Sequence, residues 1–134
     1  VVRASIAVDK PEDLQSVLSA MRAEGMEFAK CPEDRFSKPT SVAYRDAKMN
    51  VRFPNGVIGE VQLHVKSVLK AKQEAHPFYE QMRSIEGQMQ LDGRTKMTAE
   101  EKAQYDMVTA RQKEIYESAW QRALLAKVWV YEIA

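Results

Sequence analysis

The stretch Asp46-Ala47-Lys48-Met49-Asn50-Val51-Arg52-Phe53-Pro54-Asn55-Gly56-Val57-Ile58-Gly59-Glu60-Val61-Gln62-Leu63-His64-Val65 decides how this chain reads. Before the Pro-Asn-Gly break, apolar Ala47, Met49, Val51 and Phe53 alternate with polar Asp46, Lys48, Asn50 and Arg52. After it, Val57, Val61, Leu63 and Val65 are apolar around Gly59, while Glu60, Gln62 and His64 are polar. Period-two alternation marks half-buried strands, and Asn-Gly between two such runs is a strong hairpin signal. The register follows from the faces. A three-residue loop with Gly56 in the left-handed conformation sets Asn50 opposite Glu60, Lys48 opposite Gln62 and Asp46 opposite His64. A two- or four-residue loop would pair polar with apolar positions and put the two core faces on opposite sides.

Working outward, Val2, Ala4, Ile6 and Val8 alternate with Arg3, Ser5 and Ala7, which predicts a half-buried strand. Asp9, Pro11 and Glu12 then read as a helix start. Leu14, Val17, Leu18 and Met21 follow at helical spacing, with Gly25 as the stop. Residues 26–29 read as a second short strand, and 31–43, with Pro32 and Pro39, as a loop. Beyond Val65 the pattern predicts a helix over 66–75 and a further helical segment from Pro77 through Phe78, Met82 and Ile85. Leu91-Asp92-Gly93 breaks it. Thr98 and Glu101 form a capping box that opens a long helix from 99 to about 127. Its buried stripe is expected to include Tyr105, Val108, Ile115, Ala119 and Trp120, and Tyr116 reads as core too. The plan is α+β: a mixed sheet with flanking helices and a long C-terminal helix. The 134 residues are expected to form one domain, with the sheet part over about 1–65 and the helical part over 66–134.

Lys plus Arg number 20 against 19 Asp plus Glu, so recognition of phosphate has to come from a local basic cluster and not from a global field. The single cysteine, Cys31, can form no internal disulfide and reads as a tolerated free thiol. No apolar run approaches a membrane span, and no signal peptide opens the chain. The opening directly in a strand, without Met, is the expected signature of a segment cut from something longer.

The hairpin's polar face combines Asp46, Lys48, Asn50, Arg52, Glu60, Gln62 and His64, a set suited to holding a metal through carboxylate and phosphates through cations. The run Arg35-Phe36, Pro39, Tyr44-Arg45-Asp46, Asn50-Val51, Pro54-Asn55-Gly56 and Glu60-Val61-Gln62-Leu63-His64 resembles the RelA/SpoT synthetase family. That family has a Gly-Tyr motif opening one strand and a Glu-x-Gln-x-[Arg/His] motif in the next. Arg3 before Ser5-Ile6-Ala7-Val8 looks like the arginine of its first-strand motif. The segment Leu69-Lys70-Ala71-Lys72 to His76-Pro77-Phe78-Tyr79 resembles the helix that follows in shorter members and toxin relatives. The likeness covers roughly residues 1–90.

The resemblance implies a nucleotidyltransferase-like synthetase fold. It also implies an ATP-dependent pyrophosphokinase that uses Mg²⁺ and passes pyrophosphate to the 3′-hydroxyl of a guanine or adenine nucleotide. Glu60 matches the glutamate that supports the metal and takes the hydroxyl proton, and Tyr44 the tyrosine that stacks on the acceptor base. Arg3 matches an ATP contact and Lys48 the position near the acceptor phosphates; Arg35, Asn50, Gln62 and His64 complete the expected binding set. Ala43 stands where the family carries glycine, and Thr40 where long members carry lysine. The family's metal-binding aspartate would precede Val1, so these residues alone are expected to fold and synthesise little.

Neither His64 nor His76 is followed by Asp, so the hydrolase activity of long members is not expected. The implied partners are ATP, an acceptor purine nucleotide, an antitoxin or immunity protein and a second copy in a homo-oligomer, with no membrane. The implied setting is the cytoplasm, or a target cytoplasm for a secreted effector. Two alternatives stand beside this: a catalytically silent nucleotide- or protein-binding module of the same fold, and a toxin that pyrophosphorylates tRNA ends, for which Lys66, Lys70 and Lys72 are the basic candidates.

Overall fold

In the computed structural model, residues 2–29 and 33–133 are described, those from 126 on by backbone alone. Val1, Cys31 and Pro32, which entered the sequence reading, lie outside the described residues. The elements run β1 (Val2–Val8), α1 (Asp13–Ala23), β2 (Glu27–Phe28), β3 (Glu33–Asp34), β4 (Ala47–Arg52), β5 (Ile58–Val65), α2 (Lys66–Leu91) and α3 (Ala99–Ile133).

The hairpin forms as its alternation predicts. Asn50 pairs with Glu60 and Lys48 with Gln62 in an antiparallel β4–β5 ladder. Phe53 donates to the Val57 carbonyl at 2.8 Å, so three residues close the loop, and Gly56 sits at φ 86°, where an L side chain is strained. The ladder ends at Ala47–Leu63. The expected Asp46–His64 pair lies one step beyond that end and is not part of the ladder; on its other side the Asp46 carbonyl accepts the Arg35 N–H at 2.9 Å.

β1 lies parallel to β5 on the far side, giving the order β1-β5-β4-β2 with β3 also on β4: a five-stranded mixed sheet. Gly59 permits this approach. A Cβ there would meet the Val2 carbonyl and the Phe53 ring at 2.9 Å. β1 is an edge strand, so Val2 and Ala4 stay exposed, and of its alternating set only Val8 is fully buried.

α1 covers the apolar face. Met21, with Leu14, Val17 and Leu18, packs on Ala47, Met49, Val51, Val61 and Leu63. The predicted start of this helix needs correction: Asp9 does not cap it and instead pairs with Lys66 at 3.3 Å, while the helix begins at Asp13 with no side-chain cap.

The second cluster forms where β5 runs straight into α2. Val65, Val68, Ala71 and Ala75 meet Ile115, Tyr116, Ala119 and Ala123 of α3, with Val8, Ala43 and Tyr44 closing the group. α2 and α3 run antiparallel, tied by Ser67 Oγ to the Ala119 carbonyl and by Gln81 to Gln104. The two expected segments at 66–75 and from Pro77 are one helix. Pro77 removes one backbone donor, yet apolar residues on both sides of it, Ala71 and Ala75 before and Phe78 after, pack into the same cluster and hold the helix through it. The capping box closes as predicted, Thr98 N–H to Glu101 at 2.9 Å and Glu101 N–H to Thr98 Oγ1 at 3.1 Å. In the α3 stripe Val108, Ile115 and Ala119 are buried, while Tyr105 and Trp120 are half-buried.

Candidate functional site

Side chains two apart on a strand share a face, and partners across parallel or antiparallel ladders point the same way. The registers therefore build rows. Arg3, Glu60 and Asn50 form one row across β1, β5 and β4; Ser5, Gln62 and Lys48 form the next, extended by Glu33 of β3. Gln62 Nε2 donates to the Glu60 carboxylate at 3.3 Å, and Lys48 Nζ approaches Glu33 at 3.9 Å. Five of the sequence-predicted residues, Arg3, Lys48, Asn50, Glu60 and Gln62, thus share one polar surface on the side opposite α1.

The third row leaves water. His64 is 6% exposed and Asp46 3%, because this end of the sheet runs in under the helices. The polar face of the alternation is thus buried at this end and open at the other. Burying a carboxylate is costly unless it is paired, and Asp46 is met by the Arg35 guanidinium at 3.4 Å. Arg35 is held from its other side by Glu33 at 3.0 Å.

Burial holds the His64 imidazole below its ordinary range. The Asp46 charge opposes this, and the Lys72 and Lys48 cations reinforce it. His64 Nδ1 and Tyr44 Oη are both buried without a hydrogen-bond partner among the described residues. The Tyr44 hydroxyl lies near the Asp46 carboxylate but short of hydrogen-bond geometry. Burial first, and then that charge, push its phenol above the usual range.

Tyr44 is delivered by a tight loop. Thr40 Oγ1 accepts the Tyr44 N–H at 3.1 Å, the Thr40 carbonyl accepts the Ala43 N–H at 2.8 Å, and the Thr40 N–H reaches back to the Tyr44 carbonyl at 3.1 Å. Ala43 carries φ 69°, the only positive value outside glycine among the described residues. Left-handed backbone at an L residue costs about 1–2 kcal/mol. The loop takes this left-handed turn one residue before Tyr44, a conformation that glycine would adopt without strain.

The Tyr44 ring forms a wall of a cavity of about 560 Å³, shared with Arg35, Thr40, Lys72, His76, Gln112 and Tyr116. The ring itself is 8% exposed, tilted on Tyr116 at 5.2 Å between centroids, with Lys72 Nζ 5.2 Å from its centre. Of the predicted set, Tyr44 and Arg35 line this cavity, and the open row of Arg3, Glu60 and Asn50 does not.

Lys72, Gln112 and Tyr116 were not among the predicted site residues. The signal for Lys72 was present: Lys72, His76 and Tyr79 fall at i, i+4 and i+7, one face of a helix, and that face lines the cavity. Gln112 carried a weaker one, a polar residue inside the apolar stripe of α3. It is 1% exposed, with its amide nitrogen donating to the Val108 carbonyl.

For a divalent cation the described residues offer little by themselves. No group of three His, Cys, Asp or Glu converges among them. Asp46 and Glu33 are engaged by Arg35, which leaves Glu60 as the carboxylate of the open face. One carboxylate plus ligand phosphates and water fits the habit of Mg²⁺, which seldom takes an all-protein cage. No helix among the described residues is long and apolar enough to cross a membrane.

No family profile and no characterised protein matches the chain at the level of sequence. Solved structures do match. Small alarmone synthetase 1 from Bacillus subtilis, bound to its product pppGpp, superposes with a TM-score of 0.64 at 15% identity, over 96% of this chain and 60% of that one. The smu.1046c protein of Streptococcus mutans UA159 gives 0.57 at 14% identity, over 96% and 60%. A chain from the complex between the type VI effector Tas1 and its immunity protein gives 0.51 at 13% identity, over 90% and 66%. At these identities the likeness establishes the fold, a mixed sheet with flanking helices and a long C-terminal helix. The chain spans about 60% of the length of the first structures it matches.

Proposed function

We propose that this chain, built on the fold of the small alarmone synthetases, forms the acceptor side of an ATP-dependent nucleotide pyrophosphokinase. The observation that carries the reading is the row Arg3–Glu60–Asn50, register-fixed on an open sheet face whose next row, Ser5–Gln62–Lys48, leads toward the end of the sheet where Arg35 and Tyr44 line a cavity. A carboxylate flanked by a cation and an amide, on the same face as a ring-walled cavity lined by Arg35 and Lys72, suits a base at one end and phosphates at the other.

Phosphoryl-type transfer asks the protein mainly for positioning and charge stabilisation. Tyr44 offers a ring for a purine base, and base–aromatic stacking is worth about 1–3 kcal/mol. Lys48 and Arg35 supply cations toward the acceptor phosphates. Arg3 stands one strand away from Glu60 for the donor nucleotide. Glu60, held by Gln62, is placed to accept the proton of an attacking hydroxyl. It is also the residue that would hold Mg²⁺, which when bound would neutralise charge on the transferring phosphates.

Glu60→Gln keeps shape and removes the charge. The expected outcome is a loss of about 10²-fold or more in pyrophosphate transfer from labelled ATP to guanine or adenine nucleotides, with the fold intact by circular dichroism. Unchanged transfer would make Glu60 a surface carboxylate and remove the proposed role.

A further inference from the structure

The Tyr44 ring is closed by two neighbours of different kind. Tyr116 is buried in the same core cluster and packs on the ring at a tilt of 59°. Lys72 is exposed on α2, and its ammonium stands 5.2 Å from the ring centre. Both line the cavity. A tyrosine fixed in a packed core does not swing aside, whereas a surface lysine leaves a ring at the loss of one cation–π contact. The removable cover is therefore Lys72. It forms no ion pair among the described residues, and its ammonium rests against the ring instead. An ammonium held by a ring and by no carboxylate is available to a phosphate.

We infer that Lys72 is a charge-sensing cap on Tyr44, which leaves the ring for the phosphates of an incoming nucleotide and so makes the cavity select phosphorylated acceptors over free nucleosides. The inference rests on the proposed reading of Tyr44 as the base platform. A nucleoside must displace the cation and offers nothing in return. A nucleotide offers a charge-assisted hydrogen bond from ammonium to phosphate, stronger than the cation–π contact it replaces. The selectivity is for the phosphate and not for the base, so guanine and adenine nucleotides should share it.

Calorimetric titration of the 134-residue chain with guanosine, GDP, adenosine and ADP tests this through opposite signs. Lys72→Met keeps helix propensity at an exposed site. It should tighten nucleoside binding about two- to fivefold, the worth of one exposed cation–π contact, and weaken nucleotide binding about tenfold or more. Lys72→Arg should restore the wild-type order. Nucleoside affinity that stays unchanged or falls in Lys72→Met would overturn the cap, since a lysine that only touches phosphate, or only walls the cavity, gives that result. Tyr44→Ala separates the two levels. If it binds nucleotides as the wild type does, or if the wild type binds none, the platform reading falls and the cap falls with it.

Discussion

His64 shows how a residue legible as polar in sequence takes its character from burial. Its place in the alternation put it on the polar face with Glu60 and Gln62, and nothing local to the strand says that this end of the face is buried. Desolvation dominates its titration, and Asp46, Lys72 and Lys48 are the charges acting on it. The sign follows. The folded state holds the imidazole below its ordinary value of 6.5, so at mildly acidic pH the unfolded chain binds more protons. The stabilisation from neutral His64 is complete above about 6.5 and is lost as pH falls below it. Urea unfolding between pH 8 and 5 should show stability declining below 6.5, and His64→Gln should flatten that decline. A decline of the same size in His64→Gln would locate the titration elsewhere.

Ala43 and Tyr44 make a related point. Ala43 was readable as a departure from a glycine-tyrosine pattern, but its positive φ is a property of the folded loop, and the enclosure of the ring between Lys72 and Tyr116 comes from packing across 28 and 72 residues of chain.

At the scale of elements, what the sequence carried best was local. The three-residue loop at Pro54–Gly56, the hairpin register and the Thr98–Glu101 box depend on residues within a few positions of one another, and all three formed as expected. The misreadings came from tertiary override. Asp9 was free to cap α1 but pairs with Lys66 of α2 instead. Pro77 reads as a break, yet α2 continues from Lys66 to Leu91. The helix therefore carries a local penalty that its packing outweighs. Pro77→Ala should raise stability by at least about 1 kcal/mol, since an interior proline costs roughly 3 kcal/mol against alanine, partly offset by the freer unfolded chain. Chemical denaturation measures it, and a destabilised variant would mean that Pro77 fixes a bend on which the α2–α3 packing depends.

Across the whole molecule, the two faces of the sheet divide the labour. α1 seals one with an apolar core, and the other carries Arg3, Glu60, Asn50, Gln62 and Lys48 toward the cavity walled by Tyr44. The parallel addition of β1 was not readable from its alternation, yet it alone brings Arg3 beside Glu60 across 57 residues of chain. The central claim is that this face and this cavity receive a purine nucleotide. Amide NMR of the chain titrated with GDP, GTP, ADP and ATP tests it most directly. The account predicts saturable shifts gathered on Tyr44, Lys48, Glu60, Gln62, His64 and Lys72, with Leu14, Met21 and Val51 on the opposite side unmoved. Absence of saturable binding, or shifts gathered under α1 instead, would contradict it.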